Sequence, residues 1–542
     1  MKYWFIGSLL VCFACSETAP ARNGVDDGRA DKVANNGPGE FLGTVHFPTS
    51  CAEITRQDFE RGIAQLHHMG YSGAHETFAR VTEIDPECAM GYWGMAATQI
   101  HPLWFTPTAD QYKHGKEMIA RAKTAKHQND HEKAYIAALA AYYAADEGRD
   151  AHRRGVINAV PLFEAVYTEY PEDLEAASFY SLFLMATATL EDKTYKTQLK
   201  AGAIVEEVLT KIPDHPGAHH YIIHAYDVPP LAERALEVAR NYGKVAPMDP
   251  HALHMPTHIF TRLGLWSESI EWNLRSAEAA RVKEIFPPLC HAIDYLTYAY
   301  LQTGQDKKIQ GLIDELASLQ MTMGDGCAYA VPVTPARVAL ERQRWEAAAR
   351  LPIASHAGRF PEFEAITHFS RAIGAARSGD PENANQSIAK LKEIHTKVSP
   401  VSTYWGQQVE IRRITAEAWL AYSGGKEQEG LSLMQRAADL EAETEKDAVT
   451  PGEVLPAAEL YGDMLAEAGK YTEAQAAYAV ALERSPGRFN SVYGTAFAAE
   501  RAGEADKAKS FYMNLNALTE NKDTDNDRLK HAREFLLANA SH

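Results

Sequence analysis

Residues 216–224 read PGAHHYIIH and residues 250–258 read PHALHMPTH. At an offset of 34 residues, the two stretches pair Pro216 with Pro250, His220 with His254, and His224 with His258. A period of about 34 residues is typical of chains built from repeated pairs of helices. Both copies also carry two histidines four residues apart, a spacing that places both imidazoles on one face of a helix. The stretch therefore predicts a helical repeat fold that contains a cluster of histidines.

A second pattern, of small and aromatic residues, recurs near both ends of the chain. Gly62, Ala74, Phe78, Val81 and Pro86 are separated by 12, 4, 3 and 5 residues, and the same separations hold for Gly462, Ala474, Tyr478, Ala481 and Pro486. In such a pattern the small residues let the two helices of a pair cross closely, and the aromatic fills the gap to the next pair. The proline ends the second helix.

This pattern, together with GKYTEAQAAYAVALERSP at residues 469–486, resembles the tetratricopeptide repeat (TPR) family. The resemblance implies an all-α, right-handed solenoid of about 10–12 helix pairs from residue 52 to residue 520, with a capping helix near residues 525–540. Strand signals are scarce, because apolar residues fall at helical spacing. TPR proteins generally line a concave groove with the first helix of each pair, so the resemblance also implies that a partner protein or peptide could bind there.

Four further strings resemble a group of exported bacterial TPR proteins of unassigned function. The strings are CAMGYWGMA at 88–96, HPLW at 101–104, HYIIHAYD at 220–227 and HALHMPTHIF at 251–260. This resemblance covers residues 50–300 and implies no particular reaction.

Composition excludes some classes of partner. The chain has 542 residues, of which 46% are hydrophobic, so it can bury a core. Acidic residues number 72 against 54 basic residues, which gives a formal net charge of −18. Nucleic-acid binding needs clustered Lys and Arg, and anionic lipid attracts basic segments, so we expect neither partner.

The N-terminus, MKYWFIGSLLVCFAC, has a lysine followed by an apolar run too short to span a bilayer, which is the pattern of a secretory signal. Cys15 follows Ala14 and resembles the lipidated cysteine of bacterial lipoproteins, whereas Cys12 is a second candidate. Cleavage after Ala21 would instead give a soluble exported protein. We therefore predict a protein of the bacterial periplasm, with a lipid anchor to the outer membrane as the favoured form and no other membrane contact.

We divide the chain into four segments. Residues 1–21 form a lipoprotein-like signal peptide, and residues 22–50 form a flexible tether rich in Ala, Asn, Asp, Gly and Pro. Residues 51–400 form a degenerate TPR array with the histidine-rich groove. Residues 401–542 hold the C-terminal repeats and the capping helix.

Four cysteines follow the signal segment, and export permits disulfides. Cys51 and Cys88 are 37 residues apart, as are Cys290 and Cys327. Each pair would sit at the same end of neighbouring parallel helices, so we predict the disulfides Cys51–Cys88 and Cys290–Cys327. Four buried thiols are the alternative.

Spacing from the turn glycines locates the groove positions. Gly264 follows His258 by six residues and His254 by ten, and Gly304 follows Tyr298 by six and Asp294 by ten. His251 and His291 match one turn earlier. We therefore expect three consecutive repeats to present the following groove residues: His220, His224, His251, His254, His258, His291, Asp294 and Tyr298.

Among these we predict six metal ligands: His220, His224, His254, His258, His291 and Asp294. Asp294 could also hold an imidazole N–H instead of the metal. His251 and Tyr298 are groove candidates, and His67 and His101 would join only if the superhelix closes on itself. Imidazole suits Zn, Cu, Fe and Ni. Since the cluster lacks cysteine and the protein is predicted to be exported, copper or zinc is favoured over iron or nickel.

Two alternatives remain open for this cluster: a polar groove that binds a peptide or anion without metal, and histidines that are merely structural. Proline is accommodated in the first turn of a helix but not in its interior. If a helix begins at Pro256, His254 falls at its cap and the shared face with His258 is lost. We expect the remaining histidines on the solvated surface: His68, His75, His114, His127, His131, His215 and His542.

Beyond the predicted signal segment, which contains CFAC at residues 12–15, the chain has no G-x-S-x-G, H-E-x-x-H or C-x-x-C motif and no phosphate-cradling glycine loop. The sequence therefore predicts an exported TPR solenoid that binds a transition metal, with enzyme activity, as an oxidase or hydrolase, left open. The alternative is a metal-free scaffold that binds a partner protein or peptide in the cell envelope.

Overall fold

The computed structural model describes residues 40–103, 106–145, 151–189, 191–319, 325–354, 357–447, 450–524 and 526–539. The predicted signal peptide, the lipidation site Cys15, residues 22–39 of the tether and His542 lie outside these ranges. Within them the chain is all-α: 26 α-helices, three short 3-10 helices and an isolated β-bridge between Cys88 and His127.

The helices follow one another in antiparallel pairs. The first helices are α1 (Arg56–His67), α3 (Ala89–Ala97), α5 (Asp130–Tyr143), α7 (Leu174–Met185), α9 (Pro216–Tyr226), α11 with α12 (Pro250–His254 and Pro256–Arg262), α14 (Phe286–Thr303), α16 (Asp325–Glu341), α18 (Pro361–Arg377), α20 (Thr403–Ser423), α22 (Ala457–Glu467) and α24 (Phe489–Arg501). The second helices are α2 (Tyr71–Ile84), α4 (Ala109–Thr124), α6 (Ala151–Glu169), α8 (Lys196–Lys211), α10 (Leu236–Val245), α13 (Trp266–Val282), α15 (Asp306–Ser318), α17 (Trp345–Ala349), α19 (Pro381–Val398), α21 (Glu427–Ala442), α23 (Tyr471–Arg484) and α25 (Ala505–Leu518).

With α11 and α12 counted together, the described residues form twelve pairs, and α26 (Asp527–Ala538) packs on α25 as a cap. First helices of many neighbouring pairs are in contact, for example α14 with α16 and α18 with α20. The predicted TPR-type α-solenoid with a capping helix is therefore confirmed.

The repeated aromatic explains how one pair packs on the next. Phe78 is buried and faces two glycines: a Cβ on Gly62, in its own pair, would lie 2.6 Å from the ring, and a Cβ on Gly94, in the next pair, would lie 2.5 Å from it. Tyr478 faces Gly462 and Gly494 in the same way. A side chain larger than hydrogen at these glycines would force the helices apart, so the spacing pattern follows from close crossing.

Contacts also join elements far apart in sequence. α1 packs on α9, four pairs later, and α14 packs on α24, five pairs later. The indole N–H of Trp266 donates to the carbonyl of Gly487 (2.9 Å), and the amide of Asp523 donates to the carbonyl of Gly304 (3.1 Å). The array therefore folds back on itself, and the end of α1 lies against the histidine-rich α9.

The ordered part of the chain begins before the first helix. The tether was predicted to reach residue 50, but Leu42, Val45 and Phe47 are buried in the core. The amide of Thr44 donates to the carbonyl of Asp214 (3.2 Å). This part of the prediction is wrong, because the three apolar side chains pack against the repeats instead of remaining in solvent.

Both cysteine pairs are bonded in the structure. Cys51 is joined to Cys88, and Cys290 is joined to Cys327. The first pair links the segment before α1 to the start of α3, and the second links α14 to α16. Each disulfide therefore ties together neighbouring first helices.

A long non-helical connector separates α21 from α22. It comprises residues 443–456, of which 448 and 449 lie outside the described ranges. Its side chains are largely buried, and it crosses to the N-terminal half: Glu445 accepts hydrogen bonds from Lys193 (2.7 Å) and from Tyr195 (2.9 Å). One apolar cluster runs from Ala328 to Ala498, so the core is continuous across the predicted boundary at residue 400.

None of the described helices is both long and apolar enough to cross a bilayer.

Candidate metal centre

Four helices bring six histidines together. α9 carries His220 and His224, α11 carries His251 and His254, α12 carries His258, and α14 carries His291. All six are buried or partly buried. The ligand atoms of these residues fall into two groups of three, and within each group every atom lies within 4.8 Å of the others.

Pro256 does not destroy the face shared by His254 and His258. α11 ends at His254 and α12 begins at Pro256, yet Met255 between them keeps helical dihedral angles (φ −52°, ψ −39°). The proline therefore costs a backbone hydrogen bond without turning the chain away. The two imidazole Nε2 atoms lie 3.1 Å apart.

The first group is His220, His224 and His251. The Nε2 atom of His220 lies 3.1 Å from Nε2 of His224 and 3.1 Å from Nε2 of His251. On the other side of the ring, Nδ1 of His220 donates to the backbone carbonyl of His67 (2.6 Å). His220 is fully buried, whereas His224 and His251 are partly exposed.

The second group is His254, His258 and His291. The His291 ring lies 4.2 Å from the His254 ring, centroid to centroid, and 6.0 Å from the His258 ring. Nδ1 of His254 donates to Oδ1 of Asn273 (2.7 Å), and Nδ1 of His258 donates to Asp227 Oδ2 (2.9 Å). Asn273 and Asp227 thus hold the outer nitrogens of two rings.

These outer bonds decide where the protons lie. A neutral imidazole carries one N–H, and a ring that donates from Nδ1 has an unprotonated Nε2. The amide of Asn273 is oriented, because its Nδ2 donates to the carbonyl of Ser269 (2.9 Å). His254 and His258 therefore both donate from Nδ1. Their two Nε2 lone pairs face each other across 3.1 Å with no proton between them.

Protonation of either ring would be unfavourable. Burial lowers the pKa of His254 well below its usual value, and the neighbouring His291 and His258 lower it further. Burial is also the main cause that lowers the pKa of His258, and Asp227 opposes this only in part. Burial likewise lowers the pKa of His220, His224 and His291 well below the usual range and that of His251 to about 4. At neutral pH all six rings are uncharged.

Asp227 connects the second group to cations. Its carboxylate accepts from Arg262 Nε (2.9 Å) and from Lys446 Nζ (2.7 Å), in addition to His258. Burial alone would raise the pKa of Asp227, but the attraction of Lys446 and Arg262 holds it well below its usual value. Asp227 is therefore ionised and can only accept a hydrogen bond, which fixes the tautomer of His258.

Tyr295 closes the second group on the side of the connector. Its hydroxyl lies 3.4 Å from both ring nitrogens of His258 and donates to the carbonyl of Thr450 (3.2 Å). Its ring lies 4.6 Å from that of His254 and perpendicular to it. The connector thus reaches Tyr295, beside the second group, through the backbone carbonyl of Thr450.

A third polar cluster, His67, Glu175 and His215, is fully buried beside the first group. Its hydrogen bonds are complete. His67 donates from Nε2 to Glu175 (2.6 Å) and accepts at Nδ1 from the hydroxyl of Tyr221 (2.8 Å). His215 donates from Nε2 to Glu175 (3.1 Å) and accepts at Nδ1 from the amide of Ala218 (3.1 Å). This cluster needs no further partner.

Several predicted positions are corrected by this geometry. Asp294 lies outside both groups, because the buried Arg337 donates to its carboxylate (3.3 Å), and Tyr295, one residue later, takes the place beside the histidines. The hydroxyl of Tyr298 accepts from Arg488 Nη1 (2.9 Å) and is likewise not part of either group. His251, a secondary candidate, belongs to the first group.

Of the two distant candidates, His67 reaches the site through its backbone carbonyl, because α1 packs on α9. His101 stacks on Tyr71 (3.9 Å between centroids) and is not in either group. His68 and His215 were predicted on the surface, but they are buried: His68 bonds to the hydroxyl of Tyr242, and His215 belongs to the third cluster. His75, His114 and His131 are partly buried, and His127 is exposed.

Asp227, Asn273, Tyr295 and Lys446 are site residues that the sequence did not single out. Asp227 ends the quoted string HYIIHAYD, so a carboxylate near the histidines was visible. Tyr295 lies one helical turn after His291, and that spacing was a second available signal. Asn273 and Lys446 gave no signal, since Asn273 lies on α13, the second helix of the pair, and Lys446 lies on the connector.

No protein-family model matches the chain, and no curated protein matches it. The chain is similar to solved structures of yeast Tom70 (12% identity, 90% of this chain and 96% of that chain, TM-score 0.30) and of the APC/C hetero-tetramer Cut9-Hcn1 (12% identity, 88% and 96%, TM-score 0.26). At these TM-scores neither similarity bears on the function of this chain.

Proposed function

We propose that this protein binds transition metal ions at the six-histidine centre, one ion in each group of three. The observation that carries the proposal is the pair of unprotonated Nε2 atoms of His254 and His258, which face each other across 3.1 Å in a buried site. Two lone pairs at this distance repel unless a cation lies between them. A metal ion is the partner that would turn this arrangement into a favourable one.

The spacing fits a shared ion. Imidazole ligands at about 2.0–2.1 Å from a metal are about 3.3 Å apart in a tetrahedral site and about 2.9 Å apart at a right angle. The Nε2 distances of 3.1 Å, found twice in the first group and once in the second, lie between these values. The Nδ1 bonds to a carbonyl, an amide and a carboxylate match the outer partners that orient ligating histidines.

The chemistry of the donors selects the metal class. All six ligands would be neutral imidazoles, which suit Zn, Cu, Fe and Ni and do not suit Mg or Ca. Copper or zinc is our first choice and iron or nickel the alternative. Three protein ligands leave a coordination position open, which is the style of a catalytic and not of a structural site. We extend the proposal to a metal-dependent oxidase or hydrolase whose substrate is small, because all six histidines are buried or only partly exposed.

We also propose export to the bacterial periplasm, with a lipid anchor at Cys15. The two disulfides support an oxidising compartment. Mass spectrometry of the N-terminus of the mature protein tests this point. An acylated Cys15 is the expected result, and a free amine at residue 22 would instead show a soluble exported form.

Metal analysis tests the main proposal. The purified chain, stripped with a chelator and then titrated with Cu(II) or Zn(II), should bind two ions. His220→Ala, His224→Ala, His254→Ala and His258→Ala should each weaken one site by more than about 100-fold, because loss of an outer partner alone costs about 10–100-fold. Helicity measured by circular dichroism shows whether each variant is folded.

His219→Ala is the matched control. His219 is buried on the same helix as His220, but its ring nitrogens face the carbonyls of Pro213 and Val238, away from both groups. His75→Ala and His127→Ala are controls far from the site. If a folded, chelator-stripped wild-type chain binds neither metal, or if the ligand variants bind as well as His219→Ala, the proposal is wrong.

A scaffold that binds a partner protein or peptide is the second candidate. The helix pairs of the array are the observation that favours it, since TPR-type arrays present extended concave surfaces. Beside the histidines, however, the connector occupies this surface through Lys446 and Thr450. A partner would therefore bind elsewhere on the array, and a folded chain that holds no metal would favour this function.

A further inference from the structure

We infer that the two histidine groups form one dinuclear centre, whose ions share a small bridging anion. This inference rests on the proposed metal binding and goes beyond it, since two ions could bind independently. The anion class is a ligand of one to three atoms, such as hydroxide, a halide or azide. Two observations support it: the two groups lie close together, and the surrounding side chains do not balance the charge of two cations.

The ring distances between the two groups are only slightly longer than the longest ring distance within one group. The His224 ring of the first group lies 6.1 Å from the His258 ring of the second, and the His251 ring lies 6.5 Å from the His254 ring. Inside the second group, His258 and His291 are already 6.0 Å apart while facing one site. α11 carries one ligand of each group, so the two sites share a single five-residue helix. Two ions held here would be neighbours.

The charges around the centre do not balance two cations. Among the described residues, Asp227 is the carboxylate that bonds directly to one of the six histidines. It is already engaged by two cations, Arg262 and Lys446. All six ligands are neutral. Two divalent ions would therefore place about four positive charges in a largely buried site, and such a charge needs anionic ligands from solution.

Solvent has a route to supply them. His224 and His251 of the first group and His291 of the second are partly exposed, so each group keeps at least one ligand at the edge of the buried region. Three imidazoles per ion also leave positions open for another ligand. A single anion that bridges both ions fills one position on each and lowers their mutual repulsion, which two separate ligands would do less well.

The test uses the full chain loaded with Cu(II), and azide as the probe. Wild type should bind two copper ions, and with azide its electron paramagnetic resonance intensity should fall well below that of two isolated ions, because a shared bridge couples their spins. His224→Ala and His291→Ala each disrupt one group, so each should bind one copper with full intensity. Their azide affinity should be at least about tenfold lower, because the second contact is lost.

His251→Ala and His258→Ala provide a second variant for each group if either first variant does not fold, and His219→Ala should behave as wild type. Two coppers with the full intensity of isolated ions, or equal azide affinity in wild type and single-group variants, would overturn the inference and leave the proposed metal binding intact. Fewer than two coppers per wild-type chain would also overturn it. Absence of any bound metal would remove the proposed function itself.

Discussion

Two histidine clusters of this chain differ in what their ring nitrogens do. In the cluster of His67, Glu175 and His215, every ring N–H has an acceptor and every unprotonated nitrogen has a donor. In the group of His254, His258 and His291, the first two rings donate their only N–H to Asn273 and Asp227, respectively. The first cluster has a complete set of hydrogen bonds, whereas in the second the unprotonated Nε2 atoms of His254 and His258 face each other.

The comparison teaches that proximity of histidines does not by itself identify a metal site. Both clusters bring three candidate ligands within 4.8 Å. The outer nitrogen decides, because its partner fixes the tautomer and so determines whether the inner nitrogen holds a proton or a lone pair. Whether a histidine cluster can bind a metal is therefore decided by the hydrogen-bond partner of the nitrogen that points away from the centre of the cluster.

The largest expected effects come from two substitutions, one in each cluster, that test whether the clusters have different roles. Glu175→Gln should lower the stability of the metal-free protein by about 2–3 kcal/mol, since it removes a buried carboxylate that accepts two N–H groups, and should leave two metal ions bound. His258→Ala should instead act mainly on metal binding, which should be lost in one group, and less on stability. Native-state hydrogen exchange in α1, α7 and α9 reports the first quantity and metal titration the second. Loss of bound metal in Glu175→Gln would show that the two clusters act as a single metal site.

Lowering the pH should reduce the stability that Glu175 contributes to the fold. Burial raises its pKa, but the two histidine N–H groups outweigh this, so its folded-state pKa lies well below the usual 4.5. A lowered carboxyl pKa gives stability that is present above pH 4.5 and is lost as pH falls toward the folded-state value. The stability difference between wild type and Glu175→Gln should thus be largest near pH 7 and shrink below pH 4.5. A difference that grows in acid would contradict an ionised Glu175.

The repeat period predicted much of this arrangement. The spacing and the resemblance based on it predicted the helix pairs, the cap and the clustering of five of the six histidines, with His251 as a groove candidate. That success has a physical basis: neighbouring pairs repeat one geometry, so equivalent positions in sequence are neighbours in space. The alternative raised by Pro256, loss of the face shared by His254 and His258, does not hold, because Met255 keeps helical dihedral angles.

The division into two groups could not be predicted from spacing. It depends on ring orientations set by partners from other parts of the chain, such as Asn273 on α13 and the carbonyl of His67 on α1. Lys446 acts on Asp227 across 219 residues of sequence. Asp294 was misassigned for the same reason, since Arg337 lies 43 residues later on α16. Long-range contacts of this kind leave no local pattern.

A smaller effect should follow from the outer partner of His254. Asn273→Ala removes the acceptor of its Nδ1–H and should weaken metal binding in the second group by about 10–100-fold, with the first group unchanged. Asn273→Asp keeps an acceptor and should restore most of the affinity. Ser276→Ala is the matched control: Ser276 is buried one turn later on α13 and bonds to the carbonyl of Pro250. Equal affinity in all three variants would show that the tautomer of His254 does not matter.

The smallest expected effect tests the edge of the second group. Tyr295→Phe keeps the ring that packs on His254 and removes the hydroxyl that donates to the carbonyl of Thr450. We expect a loss of about 1 kcal/mol in the docking of the connector, the usual contribution of one hydrogen bond, seen as faster hydrogen exchange at residues 450–456.

Metal affinity should change little, because the hydroxyl lies 3.4 Å from the nitrogens of His258 and is bonded to the backbone instead. Burial also raises the pKa of Tyr295 well above its usual value, which disfavours the phenolate that would bind a metal. If Tyr295→Phe instead weakens metal binding as much as His258→Ala, the phenol is a fourth ligand. The second group would then be a closed site of three histidines and a tyrosine, with no open position for the bridging anion, and only the first group would remain available to substrate.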